Sequence, residues 1–162
     1  MVDRVIELER YLHEHIPISA AMGVRVDTAM PDEVRLYAPL EPNINHRSTV
    51  FGGSAAAVAI LAGWTLLHVR LGHGPRGSRI VIQRSSIEYT RPIDGDFVAA
   101  AAAPAADRWD RFIRTLRRRG RARIELRVGL LLAGEEAGRC SGTYVVLPTA
   151  PREAREELAR LP

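Results

Sequence analysis

The chain contains no lysine, and all 23 of its basic residues are arginine. That excludes a catalytic lysine and any Schiff base, and leaves a permanently charged cation suited to carboxylates and phosphates. Cysteine is nearly as scarce. Cys140 stands alone, so no internal disulfide and no multi-cysteine metal site can form, and a reducing compartment fits best. Long apolar runs are missing too: the longest, Ala55 to Leu67, falls short of the ~20 residues that a membrane-spanning helix needs. The N-terminus reads Met-Val-Asp-Arg-Val-Ile-Glu, with acids where a signal peptide would be basic and then apolar. The expectation is a soluble cytoplasmic protein without a membrane partner.

What is present describes one globular unit. At 162 residues with 46% apolar and 26% charged residues, the chain can bury a core of its own, and no repeat or linker interrupts it. A single domain over 1–162 is expected, with an N-terminal helix in 1–16 and a charged peripheral tail in 149–162. The net charge of +4 is uneven, because Asp107 to Arg123 holds eight Arg against two Asp. An acidic partner becomes plausible.

Val2, Val5, Ile6, Leu8 and Leu12 form a helical stripe that Pro17 closes. Met22–Ala29 and Val34–Leu40 read as strands around the turn Met30–Glu33. Glu41–Gly53 is a loop by its Pro, Asn and Gly content, and Ser54 to about Val69 is a helix apolar on every face, which must be buried. Ile80–Tyr89 and Asp96–Ala103 read as a hairpin across Ile93-Asp94-Gly95. Arg108–Arg118 is a short basic helix. Ala122–Leu132 and Arg139–Leu147 form a last hairpin across 134–138. Strands in hairpins with one wholly apolar helix imply an α+β fold, an antiparallel sheet wrapped around a central buried helix, which is the hot-dog arrangement.

The loop before that helix carries the chemistry. The first N–H groups of a helix have no intrahelical partner and sit at its positive end, ready to receive charge on a developing oxyanion. Gly52 and Gly53 lack a Cβ, so a carbonyl group can approach that backbone. An Asn side chain adds a neutral donor and acceptor. A double glycine before a helix is otherwise an ordinary tight turn.

The segment Pro42-Asn-Ile-Asn-His-Arg-Ser-Thr-Val-Phe-Gly-Gly-Ser54 resembles the C-terminal domain of the YiiD family of proteobacterial proteins. So do Leu61-Ala-Gly-Trp64, Ile87-Glu-Tyr-Thr-Arg-Pro-Ile93, Gly120-Arg-Ala-Arg123 and Gly142-Thr-Tyr-Val-Val-Leu-Pro148, and the likeness spans about 36–148. It implies a hot-dog homodimer that decarboxylates malonyl-acyl carrier protein, with an acyl carrier protein or coenzyme A thioester as partner. Some members add an acetyltransferase domain, for which these 162 residues leave no room. Wider hot-dog thioesterases carry an Asn seven residues before the first Gly of a Gly-Gly pair. By that likeness Asn45, not Asn43, joins Gly52 and Gly53 as the catalytic set, with Asn43, His46, Arg47, Thr49 and Phe51 as candidate substrate contacts. Those thioesterases also place an Asp or Glu about eight residues after that Gly. Here the stretch is Ala57-Val-Ala-Ile-Leu61, so the hydrolytic base is missing.

Other residues have plainer readings. Ser54 lacks a Gly-x-Ser-x-Gly elbow and reads as an N-cap. His46 could act as a base and Arg47 could meet a carboxylate, but each is as easily a solvated loop residue. His13, His15, His68 and His73 show no metal-ligand spacing, and neither metal nor cofactor is expected. Cys140 reads as a small buried residue, and Trp64 and Tyr89 as core. Arg114, Arg117, Arg118 and Arg121 are candidates for docking a carrier, against the usual role of a solvated face. Nucleic acid is disfavoured, because few aromatics interleave with the arginines. Three functions follow: a malonyl-thioester decarboxylase, a thioesterase using an acid such as Glu88, and a non-catalytic acyl-binding dimer.

Overall fold

The computed structural model describes residues 2–72 and 78–148. Its elements run α1 (Val2–His15), α2 (Pro17–Ala21), β1 (Arg25–Ala29), β2 (Glu33–Ala38), a 3-10 turn at Glu41–Asn43, α3 (Gly52–Arg70), β3 (Ser78–Tyr89), β4 (Phe97–Ala102), α4 (Ala106–Arg119), β5 (Ala122–Leu132) and β6 (Glu135–Pro148). The strands form one antiparallel sheet in the order β1-β2-β4-β5-β6-β3. His73 and the 149–162 tail lie outside the described residues.

The sheet takes its curvature from the need to cover α3. Val58, Ala59, Ala62, Leu66 and Leu67 of that helix are fully buried, and they share one core with Leu36, Ala99, Leu126 and Tyr144 from the strands. Burying each large aliphatic side chain contributes roughly 1.5–3 kcal/mol. β5 shows the period-2 pattern that half-covered strands require, with Ala122, Ile124, Leu126, Val128 and Leu130 turned inward. At 19 residues α3 is long and apolar enough to cross a membrane, yet it packs against β2, β3, β4, β5 and β6. This is the hot-dog arrangement.

Several local expectations change. Pro17 does not merely close α1 but opens the short α2, where its missing N–H is harmless at a helix start. β3 and β4 are not a hairpin: β3 pairs with β6, while β4 lies between β2 and β5. Thr90–Asp96 is too long and too constrained by Pro92 for a tight turn, and it runs beside the start of α3, where the Ile93 carbonyl accepts the Val50 N–H. The last hairpin turns at Ala133-Gly134, both with positive φ (50° and 86°), as a two-residue turn of that hand demands.

The free edges differ. β1 is short, carries a bulge, and has its Val26 N–H taken by the Glu9 carboxylate at 2.8 Å. β3 is 12 residues long, and its described side chains are exposed or half-buried throughout.

Close approach of α3 to the sheet depends on Gly63. A Cβ there would sit 2.3 Å from the Tyr144 hydroxyl and 2.8 Å from its Cζ. That hydroxyl donates to the Ile60 carbonyl at 2.8 Å, and burial pushes the phenol well above its ordinary pKa, so it stays a donor. Gly63→Ala should therefore lower the free energy of unfolding by about 1–3 kcal/mol, as overpacking does. In a Tyr144→Phe background the same change should cost less, because the nearest clashing atom is gone. Urea unfolding of the four proteins measures the coupling; strict additivity would show that the two residues do not meet.

Candidate functional site

The loop 43–51 is folded around two asparagines with different surroundings. Asn43 is buried at 1% exposure, and its amide donates to the carbonyls of Met22 (2.9 Å) and Pro39 (2.8 Å). It anchors the loop to the body of the fold. Asn45 is half-buried, and its Oδ1 accepts the N–H groups of Arg47 (2.7 Å) and Thr49 (3.4 Å). Its Nδ2 donates to Thr49 Oγ1 (3.0 Å) and the Val50 carbonyl (3.3 Å). Asn45 thus closes the loop on itself, in the way Asx turns do, and Ser48 takes a left-handed φ of 60° at the tip. An Ile44–Val50 bridge seals the base, while Phe51 N–H donates to the Asn43 carbonyl and Val50 N–H to the Ile93 carbonyl, both at 2.7 Å.

α3 begins at Gly52, two residues earlier than expected. Phe51 is the residue before it, in extended backbone (φ −62°, ψ 128°), and no side chain caps the helix. Ser54 is therefore the third residue of the helix and not its cap. The N–H groups of Gly52 and Gly53 stand at the positive end of a 19-residue helix with no partner inside it. Each glycine also admits an aromatic ring. A Cβ on Gly53 would lie 2.3 Å from Phe51 Cε1, and one on Gly52 would lie 3.2 Å from the Tyr89 hydroxyl.

Tyr89 corrects the expectation of a core residue. It is 44% exposed, and its hydroxyl donates to the Gly52 carbonyl, joining the end of β3 to the first turn of α3. Partial burial raises its pKa above that of a free phenol, so the hydroxyl keeps its proton at neutral pH. Together with Thr49, Val50, Ala55, Arg91 and Ile93 it lines a cavity of about 440 Å³ whose walls hold no carboxylate. The Arg91 guanidinium is engaged by the Leu132 and Glu135 carbonyls (3.3 Å each) and by the Glu135 carboxylate at 3.2 Å. Sequence patterning missed Tyr89 and Arg91. The one available signal was that Ile87-Glu-Tyr-Thr-Arg-Pro-Ile93 ends a strand at the level of the Gly pair.

The remaining candidates are spread out. His46 and Arg47 are exposed at the loop tip, Thr49 is half-buried beside Asn45, and Phe51 is 57% exposed over Gly53. Glu88 alternates to the sheet face opposite Tyr89, where it pairs with Arg139 at 3.0 Å and cannot reach the cavity of its own chain. Trp64 is half-buried, donating its indole N–H to the Ile80 carbonyl at 3.0 Å and stacking on His68, which stacks in turn on Tyr11. His13 bonds the Val24 carbonyl and His15 the Tyr11 carbonyl. Cys140 is buried at 2% exposure, and burial raises its thiol pKa.

A second cavity, of about 290 Å³, is almost wholly apolar and is lined by Ile18, Ala57, Ile60, Trp64, Ile82 and Tyr144. The arginines form a third feature. Arg111, Arg114, Arg117 and Arg118 line a cleft of about 520 Å³ on α4, and Arg121 follows it exposed. Arg70, the last residue of α3, lies over the Trp109 ring at 4.5 Å. Trp109 of α4 therefore lies at the C-terminal end of α3, and Gly52 stands at the other end of a helix about 27 Å long at 1.5 Å per residue.

A family model described as "Putative thioesterase (yiiD_Cterm)" matches residues 5–148. Among solved structures, a protein of unknown function from Chlorobaculum tepidum aligns at 27% identity with a TM-score of 0.83, over 90% of this chain and 94% of its own. A "putative thioesterase" from Shewanella oneidensis aligns at 26% identity with a TM-score of 0.80, over 91% and 100% of the two chains. A Pseudomonas aeruginosa protein of unknown function, at 24% identity and a TM-score of 0.73 over 88% and 95%, shares the fold. The chain belongs to the family that takes its name from the C-terminal domain of YiiD.

Proposed function

We propose that the chain is an enzyme of acyl thioesters that decarboxylates a malonyl group carried on acyl carrier protein, leaving an acetyl thioester. The observation that carries this is a helix start with unpartnered N–H groups beside a cavity without a carboxylate. In the reaction the bond between the carboxylate and the α-carbon breaks, and its electron pair moves toward the thioester oxygen. The Gly52 and Gly53 amides receive the charge of that enolate, and the α-carbon then takes a proton from water. No general base is required. Hydrolysis, by contrast, needs water deprotonated during attack, and a positioned base usually contributes about 100- to 10,000-fold.

A second reading is a thioesterase for longer acyl groups. It is favoured by the apolar cavity beside α3, which is larger than a malonyl group needs, and by the description of the family and the Shewanella relative. Product analysis separates the two. Malonyl-carrier protein should become acetyl-carrier protein at least about tenfold faster than free carrier thiol appears, a barrier difference of ~1.4 kcal/mol. Intact-protein mass spectrometry of the carrier reads both products; thiol and malonate as the main products would sink the decarboxylase reading.

Three substitutions test the site. Asn45→Ala should remain folded and lose at least ~100-fold in turnover, the usual scale for disrupting a preorganised oxyanion site. Asn43→Ala should act first on stability, losing about 1–3 kcal/mol because buried carbonyls are left unpartnered. A fully active Asn45→Ala enzyme would place the working residue elsewhere. Tyr89→Phe should lower kcat roughly tenfold with KM little changed, as expected for a group that holds the amides and not the substrate. A rise in KM alone would make Tyr89 a binding residue.

A further inference from the structure

We infer that Arg91 selects the substrate by charge, its guanidinium holding the free carboxylate of a malonyl group while the thioester oxygen lies on the Gly52 and Gly53 amides. The inference rests on the thioester reading above. Among the described residues Arg91 is the one charged side chain in the lining of the cavity that Gly52 shares. Arg47 stands exposed at the loop tip and does not line it. Tyr89, whose hydroxyl meets the Gly52 carbonyl, is two positions before Arg91, so their Cα atoms are within about 7 Å along the chain. A malonyl group suits this arrangement. Its carboxylate and its thioester oxygen are separated by one CH2, so two neighbouring holders, one cationic and one dipolar, seat both at once.

The bonds that Arg91 already makes leave part of the group free. Its Nη2 donates to the Leu132 and Glu135 carbonyls at 3.3 Å each and meets the Glu135 carboxylate at 3.2 Å, which holds the guanidinium from the side of the β5–β6 turn. Nε is enclosed, and Nη1 is open; neither has a partner among the described residues. The Glu135 carboxylate is 78% exposed, so water screens its pairing with Arg91 and an anion in the cavity still feels the charge. Val50, Ala55, Pro92 and Ile93 make much of the remaining wall apolar. In such surroundings a contact between guanidinium and carboxylate is stronger than in water, and the planar group matches the planar anion.

This hold acts on binding more than on the barrier. As CO2 leaves, the negative charge passes to the thioester oxygen, and the attraction to Arg91 weakens while that to the Gly52 and Gly53 amides grows. An acyl group with an uncharged end leaves the guanidinium without its anion, which disfavours the neutral substrates of a general thioesterase.

Binding is measured without turnover on carrier protein bearing a malonyl or an acetyl group through an amide in place of the thioester, titrated by calorimetry. The wild-type chain should bind the malonyl amide at least about tenfold more tightly than the acetyl amide, the scale of one hydrogen bond to a charged group. Arg91→Gln should bind the two alike, with its affinity for the acetyl amide unchanged as proof that the site is intact. Arg91→Lys keeps the charge and should recover part of the preference. Equal or absent binding of both amides by the wild type, a preference that survives Arg91→Gln, or none in Arg91→Lys overturns the assignment. In turnover of malonyl-carrier protein, Arg91→Gln should raise KM at least about tenfold and leave kcat within about threefold. A fall in kcat with KM unchanged overturns the binding role. Glu135→Gln frees the guanidinium and should lower KM by up to about fivefold, the scale of one exposed ion pair; a rise in KM would make Arg91 a clamp of the turn alone. Should the wild type process no malonyl thioester, the activity reading fails while the amide titration still judges Arg91.

Discussion

The fold depends on covering a helix that has almost no polar face. α3 cannot be left in water, and the only surface long enough to shield 19 residues is a sheet that bends around it. That requirement accounts for the topology. β4 and β5 lie centrally under the helix, and the chain leaving the edge strand β3 runs past the start of α3 before it enters β4, which separates two strands that are neighbours in sequence. The close fit is set at Gly63, where the absence of a Cβ lets the Tyr144 hydroxyl reach the Ile60 carbonyl.

The same burial fixes the geometry of the candidate site. A helix held firmly in a core presents its first turn as a fixed object, and its unpartnered N–H groups cannot rearrange to satisfy one another. The 43–51 loop and Tyr89 hold that turn from two sides. Asn43 ties the loop to the body, Asn45 ties the loop to itself, and the Tyr89 hydroxyl ties Gly52 to the sheet. Fixed dipoles of this kind lower the cost of a developing charge because no reorganisation is needed when it forms.

The helix, the strand periodicity and the loop could be read from the sequence because each is written in local spacing. The apolar face of β5 alternates within one strand, and the Gly pair adjoins the helix it opens. The contacts that were missed join distant residues. Tyr89 and Gly52 are 37 positions apart, and a tyrosine at the end of an apolar strand looks like core until the strand's partner is known. Pairing of β3 with β6 was hidden for the same reason, since adjacency in sequence favours a hairpin with β4 and only the wrapping of α3 forbids it. Ser54 misled in another way: its side chain suits a cap, but Gly52 and Gly53 already belong to the helix. Asn45 stands out through its likeness to the Asn that hot-dog thioesterases carry seven residues before a Gly pair, while the bonds that occupy its amide depend on the fold of the loop.

The distribution of burial along α3 also limits what chemistry this helix can support. Ala59 is fully buried toward the sheet, so a carboxylate at that position would be desolvated in the core and would not face the site. The side of α3 that the sheet leaves partly open is Gly53, Ala57, Ile60 and Trp64, at the spacing of one helical face. None of these residues can accept a proton from water. Ala57, Ile60 and Trp64 line the apolar cavity, so that side of the helix offers hydrophobic contact without a base. With Glu88 on the opposite face of the sheet and paired to Arg139, a hydrolytic route would have to draw its base from outside the described cavity of the same chain. The proposed decarboxylation asks for no base, only the dipoles at Gly52 and Gly53 and surroundings that hydrate the departing carboxylate poorly, and the cavity along Ala57, Ile60 and Trp64 is almost wholly apolar.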